Sequence, residues 1–385
     1  MGVPWMDHNA QYQSMKQEID AAMQRVIASG TYILDEEVEA FEQEFALYCG
    51  SAHGVSVHCG LDAIRVALLS LGIGAGDEVI TVVNGCPSVP LAIAHTGATP
   101  VFVDIDEATY NIDPEKLESA ITDRTKAILA LHSYGAPCEI DAVRSVAHRF
   151  GLTFIEDASL AVGARYDGIR VGGFGDVSVA SLSKGKILTS YGNGAGMILT
   201  DDESVADRAR MYARYGFRKL DESDSIDSSL KRGGWVCAVE GYNSHLDALQ
   251  AAVLRIKLRR MDQWAATRLE RGRLYDRLLE EVDVIRPVIG ERALSVYRGY
   301  TVRVRNRYDV LDALRSRGVE AMMLFLPPLH LQPVWSRLGY RLGDFPVAER
   351  VGREILSLPI YPEMSEGHVE EAVSTLRDCL QSDAS

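Results

Sequence analysis

Two short stretches of this chain carry groups whose chemistry fits together. Ile155-Glu156-Asp157-Ala158 ends an apolar run on a carboxylate. Ser181-Leu-Ser-Lys184-Gly-Lys186 ends the next on a hydroxyl and two lysines, just ahead of the glycine-rich Tyr191-Gly-Asn-Gly-Ala-Gly196. A buried aspartate at a strand end can pair with a protonated ring nitrogen, so that electrons from a carbanion flow into the ring. A lysine of depressed basicity can attack a carbonyl as the free amine and afterwards move a proton. These are the groups needed to hold pyridoxal phosphate covalently and use its ring as an electron sink, which points to carbon–nitrogen chemistry. Taken singly, each has a blander reading. Asp157 can cap the turn after its strand, and Lys184 and Lys186 can be a solvated loop pair, with either one open as the reactive residue.

Other motifs are weaker. Gly72-Ile-Gly-Ala-Gly76 resembles part of a dinucleotide fingerprint, but it ends a helical pattern and leads into a strand, the reverse of what that fingerprint requires. His58-Cys59-Gly60-Leu61-Asp62 suits a phosphate better, because Gly60 lets the backbone approach closely and the following helix opens with free N–H groups. Gly60 as plain helix punctuation is the alternative, and Asp62 would favour the positive helix end in any case. His53, His58 and Cys59 lack a second ligand pair at zinc spacing, so no metal is expected. No G-x-S-x-G elbow is present for a hydrolase.

The elements that must position these groups are legible as alternation. Val79–Val83, Pro100–Asp104, Ala127–Leu131, Thr153–Ile155 and Val177–Ala180 read as strands, separated by helical patterns such as those around Leu61–Leu69 and Asp141–Phe150. That predicts an α/β layer sandwich around a mostly parallel sheet. His245 to about Leu279 reads as one long helix; beyond it, Val282–Pro287, Tyr300–Val304 and Met322–Leu326 read as strands and Tyr308–Arg317 as a helix, so a smaller α+β domain is expected from about residue 265. The polar stretch 221–229 is expected to be a mobile loop.

The chain has 385 residues, 47% of them hydrophobic, enough for a large core and two domains. Its formal net charge of −14 argues against nucleic acid as a partner. Six dispersed cysteines without a C-x-x-C pair, an opening that lacks a basic flank before an apolar core, and no apolar run of membrane length predict a cytoplasmic protein with reduced thiols and no membrane association. Met6 stands where a myristoylation signal needs Ser or Thr.

One ordered series of segments spans nearly the whole chain: Ser29-Gly-Thr-Tyr-Ile-Leu34, Val38-Glu-Ala-Phe-Glu42, Gly72-Ile-Gly-Ala-Gly-Asp-Glu-Val-Ile80, Pro100-Val-Phe-Val-Asp-Ile-Asp106, Ile155-Glu-Asp-Ala158, Gly241-Tyr-Asn243, Leu246-Asp-Ala-Leu-Gln-Ala-Ala252 and Leu356-Ser-Leu-Pro-Ile-Tyr361. It resembles the DegT/DnrJ/EryC1/StrS family of pyridoxal-phosphate-dependent sugar aminotransferases, of fold type I. The resemblance implies a three-layer α/β/α large domain over residues 1–264, including the N-terminal segment, and a small α+β domain over 265–385. It also selects the lysine: Gly175-Asp176, Ser181, Lys186 and Gly192-Asn-Gly194 follow the family's order, so Lys186 is the implied Schiff-base residue. By the same correspondence Ser181 and the N–H groups of Gly60 and Leu61 would bind the cofactor phosphate, and Asp157 would meet the ring nitrogen. Asn243 would reach the phosphate of a neighbouring subunit, implying a homodimer with shared sites. Cys86 takes the position of a stacking aromatic ring, Leu160 that of a glutamine near the ring hydroxyl, Cys59 and Leu61 those of Ser and Thr, and His245 that of an arginine. His330, in Pro327-Pro-Leu-His330-Leu-Gln332, is a candidate substrate contact beside His245.

A related branch that removes a sugar hydroxyl has histidine where this chain has Lys186, so the resemblance favours transamination. Glutamate or glutamine would convert the cofactor to pyridoxamine phosphate, which would then aminate a keto-sugar, expected to be a nucleotide-linked keto-deoxysugar. An aminocyclitol ketone as acceptor is the first alternative. The others are a cofactor-binding regulator that does not turn over and, outside the family, a nicotinamide oxidoreductase.

Overall fold

A computed structural model describes residues 2–192, 194–221, 224, 226, 234–325 and 327–382. Most of the polar stretch 221–229 and Asn193 of the glycine-rich segment lie outside them. Helices α1 (His8–Ser29) and α2 (Glu36–Cys49) each start on an aspartate. Asp7 accepts from the N–H of Ala10, and Asp35 from those of Glu37 and Val38, which satisfies donors that a helix start leaves open.

The chain then alternates through β1 (His53–Val57), α3 (Gly60–Ser70), β2 (Glu78–Val82), α4 (Ser88–His95), β3 (Thr99–Val103), α5 (Leu117–Ala120), β4 (Thr125–Leu131), α6 (Ile140–Arg149) and β5 (Thr153–Asp157). The short strands β6 (Arg165–Tyr166) and β7 (Ile169–Arg170) precede β8 (Val177–Ser181), β9 (Gly196–Thr200) and α7 (Glu203–Ala213). Seven strands form one sheet in the order β1-β9-β8-β5-β4-β2-β3. The run from β8 to β3 is parallel, while β9 pairs antiparallel with both β8 and β1. All five expected strands of this region are present; β1 and β9 were not anticipated.

Strands β2, β8 and β9 are buried at every position, as expected of a sheet covered on both faces. Alternate residues feed two cores. Ile80, Ile128 and Phe154 pack with Phe41, Val143 and Val253, whereas Val79, Leu129, Ile155 and Val179 pack with Ala67, Ile93 and Ala206. Helices therefore close both faces, giving the expected three layers.

A short hairpin of β10 (Phe217–Lys219) and β11 (Trp235–Cys237) leads to α8 (Ala248–Leu258) and α9 (Met261–Leu278). These two replace the single long helix expected from residue 245: the chain turns at Arg260, whose N–H donates to the Lys257 carbonyl. The change of core falls within α9, since Met261 and Trp264 belong to the sheet core and Leu274 and Tyr275 to a separate one. That second core gathers β13 (Tyr300–Arg303), α10 (Arg307–Ser316), β14 (Ile355–Leu358) and α12 (Glu366–Ser382) around Val302, Leu311, Leu356 and Val373, whereas β12 (Ala293–Leu294), which pairs with β6, and α11 (Pro346–Glu354) send Ala293, Ala348 and Val351 into the sheet core. Val3 belongs to the second core too, through a parallel bridge to Val319. Of the three strands expected here, only Tyr300–Arg303 is a strand, paired with β14; the segments near 285 and 322 make single bridges to Arg303 and Ser357. Prolines bound both segments, Pro287 at one and Pro327-Pro328 at the other, and a residue without an N–H cannot continue a ladder.

Candidate active site

The C-terminal ends of β5 and β8 lie side by side in the sheet, with Asp157 opposite Val179 in register. Strand alternation sends the two acids of β5 to opposite faces. Asp157 is 2% exposed and accepts from the N–H of Ser159 at 2.9 Å. Burial pushes its carboxyl up, against the opposing pull of Ser159 and of Lys186. It makes no ion pair with a described residue.

Glu156 does different work. Its Oε1 meets His132 Nε2 at 2.9 Å and the Gly172 N–H at 2.7 Å; its Oε2 accepts from the N–H groups of Phe174 and Gly175 and from the Ser178 hydroxyl. Burial opposes the charge, yet these donors hold the carboxyl below its usual range. A buried carboxylate satisfied this fully fixes the turn that feeds β8. The strand pattern held the signal, two acids at a strand end on opposite faces, but only Asp157 was singled out.

Beyond β8 the chain folds back on itself. Leu182 N–H donates to Ala195 O, Ser190 N–H to Leu182 O, and Lys186 N–H to Ser183 O, while the Thr189 hydroxyl donates to Ser183 O. Lys257, fully buried, crosses from α8 to donate its ammonium to Thr189 O at 2.7 Å and lies 4.1 Å from the Tyr191 ring centre. Within this loop Lys184 is exposed and Lys186 is not. Burial drives the Lys186 amine down, helped by nearby Arg298 and opposed by Cys86 and Asp157. It makes no hydrogen bond or ion pair with a described residue. The pair of lysines is thus separated by environment, and Lys186 is the one that stands within electrostatic reach of Asp157.

Helix α3 starts against β8. A methyl carbon on Gly60 would lie 2.4 Å from Ser181 Cβ and 2.8 Å from its Oγ, so only glycine allows the helix start and this hydroxyl to meet. Cys59 at the cap position offers no capping hydrogen bond, and Leu61 follows within the first turn. An opening helix end beside a serine hydroxyl suits a phosphate. Together with the carboxylate of Asp157, which has no ion-pair partner among the described residues, and the half-buried amine of Lys186, these residues fit the demands of pyridoxal phosphate at its phosphate, ring nitrogen and aldehyde.

The remaining candidates are placed as follows. Cys86 is half-buried, within electrostatic reach of Lys186, and accepts from the Ser88 hydroxyl at 3.0 Å. Leu160 is buried in the sheet core. Asn243 is exposed and its backbone bridges Arg214; next to it, Ser244 donates to Asp62 at 2.6 Å and accepts from the His58 N–H, tying this segment to the start of α3. Asp62 also accepts from Arg65, so its role is structural at least in part. His245 is half-buried beside Tyr215, its imidazole pushed down by burial and by Arg214. His330 is enclosed in a different seam, with Nε2 3.0 Å from Glu349 and its ring 4.7 Å from that of Phe345. Among the described residues no group of His, Cys, Asp and Glu is disposed to hold a metal, and no disulfide joins the cysteines.

The profile of the DegT/DnrJ/EryC1/StrS aminotransferase family matches residues 13–377. The chain is 38% identical over 381 residues to the pleiotropic regulatory protein of Geobacillus stearothermophilus, covering 98% of each. It is also 38% identical over 377 residues to the dTDP-3-amino-3,4,6-trideoxy-alpha-D-glucose transaminase of Streptomyces venezuelae, covering 98% of this chain and 96% of the other. The crystal structure of S. venezuelae DesV in complex with a ketimine intermediate superposes with a TM-score of 0.90 at 38% identity, covering 98% of both chains. With the fold, the ordered motifs and these likenesses in agreement, the chain belongs to the DegT/DnrJ/EryC1/StrS aminotransferase family.

Proposed function

We propose that this protein is a pyridoxal-phosphate-dependent aminotransferase that moves an amino group from glutamate or glutamine to a keto-sugar. The acceptor is a nucleotide-linked, dTDP-type 3- or 4-keto-6-deoxysugar, and the product an amino sugar for a natural product or surface glycan. One observation carries the reading: a half-buried lysine amine, Lys186, in the loop just past β8, stands within electrostatic reach of a buried carboxylate, Asp157, at the end of the neighbouring strand β5, and neither makes an ion pair with a described residue. Either group alone is costly to bury. A cationic ring nitrogen would complement Asp157, and covalent attachment would remove the amine's charge altogether.

When bound, the cofactor supplies the electron sink for the substrate carbanion. The chain supplies the rest. Asp157 keeps a proton at the ring nitrogen. Lys186 would hold the cofactor covalently and, as a free amine, would move a proton at the substrate carbon. Ser181 and the N–H groups of Gly60 and Leu61 hold the phosphate, and burial of the loop excludes water.

The homodimer with shared sites is part of the proposal. Tyr32, Ile33 and Leu34 are all more than 40% exposed and join the segment after Asn243 through the Ile33–Asp247 bridge. Tyr215, Phe217 and Trp235 are exposed nearby in the chain path. Exposed apolar side chains grouped this way mark a contact surface, and Asn243 within it would face a partner's phosphate.

Mass spectrometry of products formed from a panel of 3-keto and 4-keto nucleotide sugars, with an aminocyclitol ketone included and glutamate or glutamine as donor, tests the acceptor. An aminated nucleotide sugar is expected; amination of the cyclitol alone would move the acceptor class. The G. stearothermophilus relative, a pleiotropic regulatory protein by name, favours one second reading, a regulator that keeps the fold and cofactor without turnover. Retained cofactor whose absorbance does not respond to either donor would support it.

A further inference from the structure

Arg298 stands just ahead of β13, where the second core meets the loop that carries Lys186. Its backbone is pinned, the N–H donating to Tyr134 O at 2.7 Å. Its guanidinium lies 5.3 Å from the Trp5 ring centre, and Nη2 would be 3.3 Å from a methyl carbon on Gly185, the residue next to Lys186. Gly185 has a φ of 89°, so a side chain is disfavoured there on conformational grounds too. The loop thereby leaves room for the fork. Nη1 is enclosed and has no hydrogen-bond partner among the described residues. The side chain as a whole is only half-buried, so a ligand can reach it.

Its cationic neighbours are provided for differently. Arg268 donates Nη1 to the carbonyls of Tyr297 and Ile360 at 2.9 and 2.7 Å, and Lys257 donates to Thr189 O. Arg298 forms no ion pair with a described carboxylate. Glu363, which faces Arg268, has its carboxyl raised by burial, with Arg268 pulling the other way. A guanidinium left with a free edge in a water-poor seam is an anion receptor in waiting, because an uncompensated buried charge is otherwise costly.

We propose that Arg298 binds the α-carboxylate of the amino donor, holding the donor's nitrogen-bearing carbon at the Lys186 amine. The assignment rests on the aminotransferase reading above and deepens it. The donor's reacting carbon carries its carboxylate one bond away, which matches a cation contacting the residue adjacent to the reactive lysine. A planar two-pronged fork also matches a carboxylate. The diphosphate of a sugar nucleotide lies several bonds from the keto carbon and fits this position less well.

The test follows the first half-reaction in the holoenzyme, through loss of the cofactor's visible absorbance as donor is titrated. For Arg298→Gln the half-saturating glutamate concentration is expected to rise about 10- to 100-fold, the usual worth of a charged hydrogen bond, with Arg298→Lys in between. Isoglutamine, whose α-carboxylate is an amide, should titrate the wild type and Arg298→Gln alike, and half-saturation by keto-sugar, measured from the aminated cofactor form, should not move. If Arg298→Gln fails to retain cofactor, the glutamate-to-isoglutamine preference of wild type against Arg298→Lys decides: it should shrink in the variant. An unchanged glutamate titration would overturn the assignment, and a shift confined to the keto-sugar would move Arg298 to the acceptor's phosphates. Wild-type absorbance that ignores both glutamate and glutamine would instead remove the aminotransferase reading on which the assignment stands.

Discussion

Burial, more than spacing, distinguishes Lys186 from Lys184. Lys184 lies exposed, whereas burial drives the enclosed Lys186 towards the neutral amine that nucleophilic attack requires. Lys186→Ala is expected to lower turnover by at least about a thousandfold and to lose the borohydride-trapped adduct at that peptide, while Lys184→Ala stays within a few-fold of wild type. An adduct mapping to residue 184 would reverse the choice. Gly60 offers a second single-residue test. Its substitution by alanine forces apart the start of α3 and Ser181, so a loss of about 1–3 kcal/mol in urea unfolding is expected, together with faster cofactor loss on dialysis. Gly60 stood out from its type and place before a helix, whereas Lys186 was preferred to Lys184 only through the family resemblance. Arg298 was not legible, because an arginine ahead of a strand looks the same in sequence whether its fork is free or paired.

Between residues and the whole chain, two elements hold the site in place. The turn before β8 hangs on Glu156, which accepts from three N–H groups, a hydroxyl and His132. Glu156→Gln replaces one acceptor oxygen by a donor that faces other donors, so a destabilisation of about 2–4 kcal/mol is expected in denaturant melts, with turnover reduced because Ser181 follows that turn. The loop after β8 depends on Lys257, whose ammonium burial pushes down to about 7. A base with a depressed folded value binds fewer protons folded than unfolded. Its contribution to stability is therefore full above the unfolded value of about 10.4 and is lost as pH falls towards 7. Relative to Lys257→Met, the wild type should gain a few kcal/mol between about pH 7 and pH 10. Parallel pH profiles of the two proteins would contradict this. Apolar runs revealed β2 to β5 and β8, but β1 is interrupted by Gly54 and Ser56, and β9 holds only three apolar residues after the glycine-rich segment and gains its place by pairing with β8 and β1.

For the molecule as a whole, the proposed shared site makes a prediction that single subunits cannot mimic. If Asn243 serves the partner's phosphate, Lys186→Ala and Asn243→Ala proteins, each of low activity, should recover activity when refolded together. In random mixing half the dimers are mixed and each has one intact site, giving about a quarter of wild-type activity. No recovery would place Asn243 within its own subunit's site or outside the chemistry. Among the described residues no helix is long and apolar enough to cross a membrane.

The order of residue types along the chain was enough to specify the layered α/β architecture and the family, because these depend on local periodicity and on ordered motifs, and the family resemblance in turn named Asp157, Ser181, Lys186 and Gly60 as candidates. Three-dimensional packing alone decided the environment of each group. It joined Glu156 to His132 and to a turn some 16–22 residues away, broke the expected long helix at Arg260, enclosed His330 against Glu349, and brought Arg298 from beyond the second core to the loop of Lys186. Charge, burial and hydrogen-bond satisfaction are sums over neighbours distant in sequence, and spacing along the chain does not contain them.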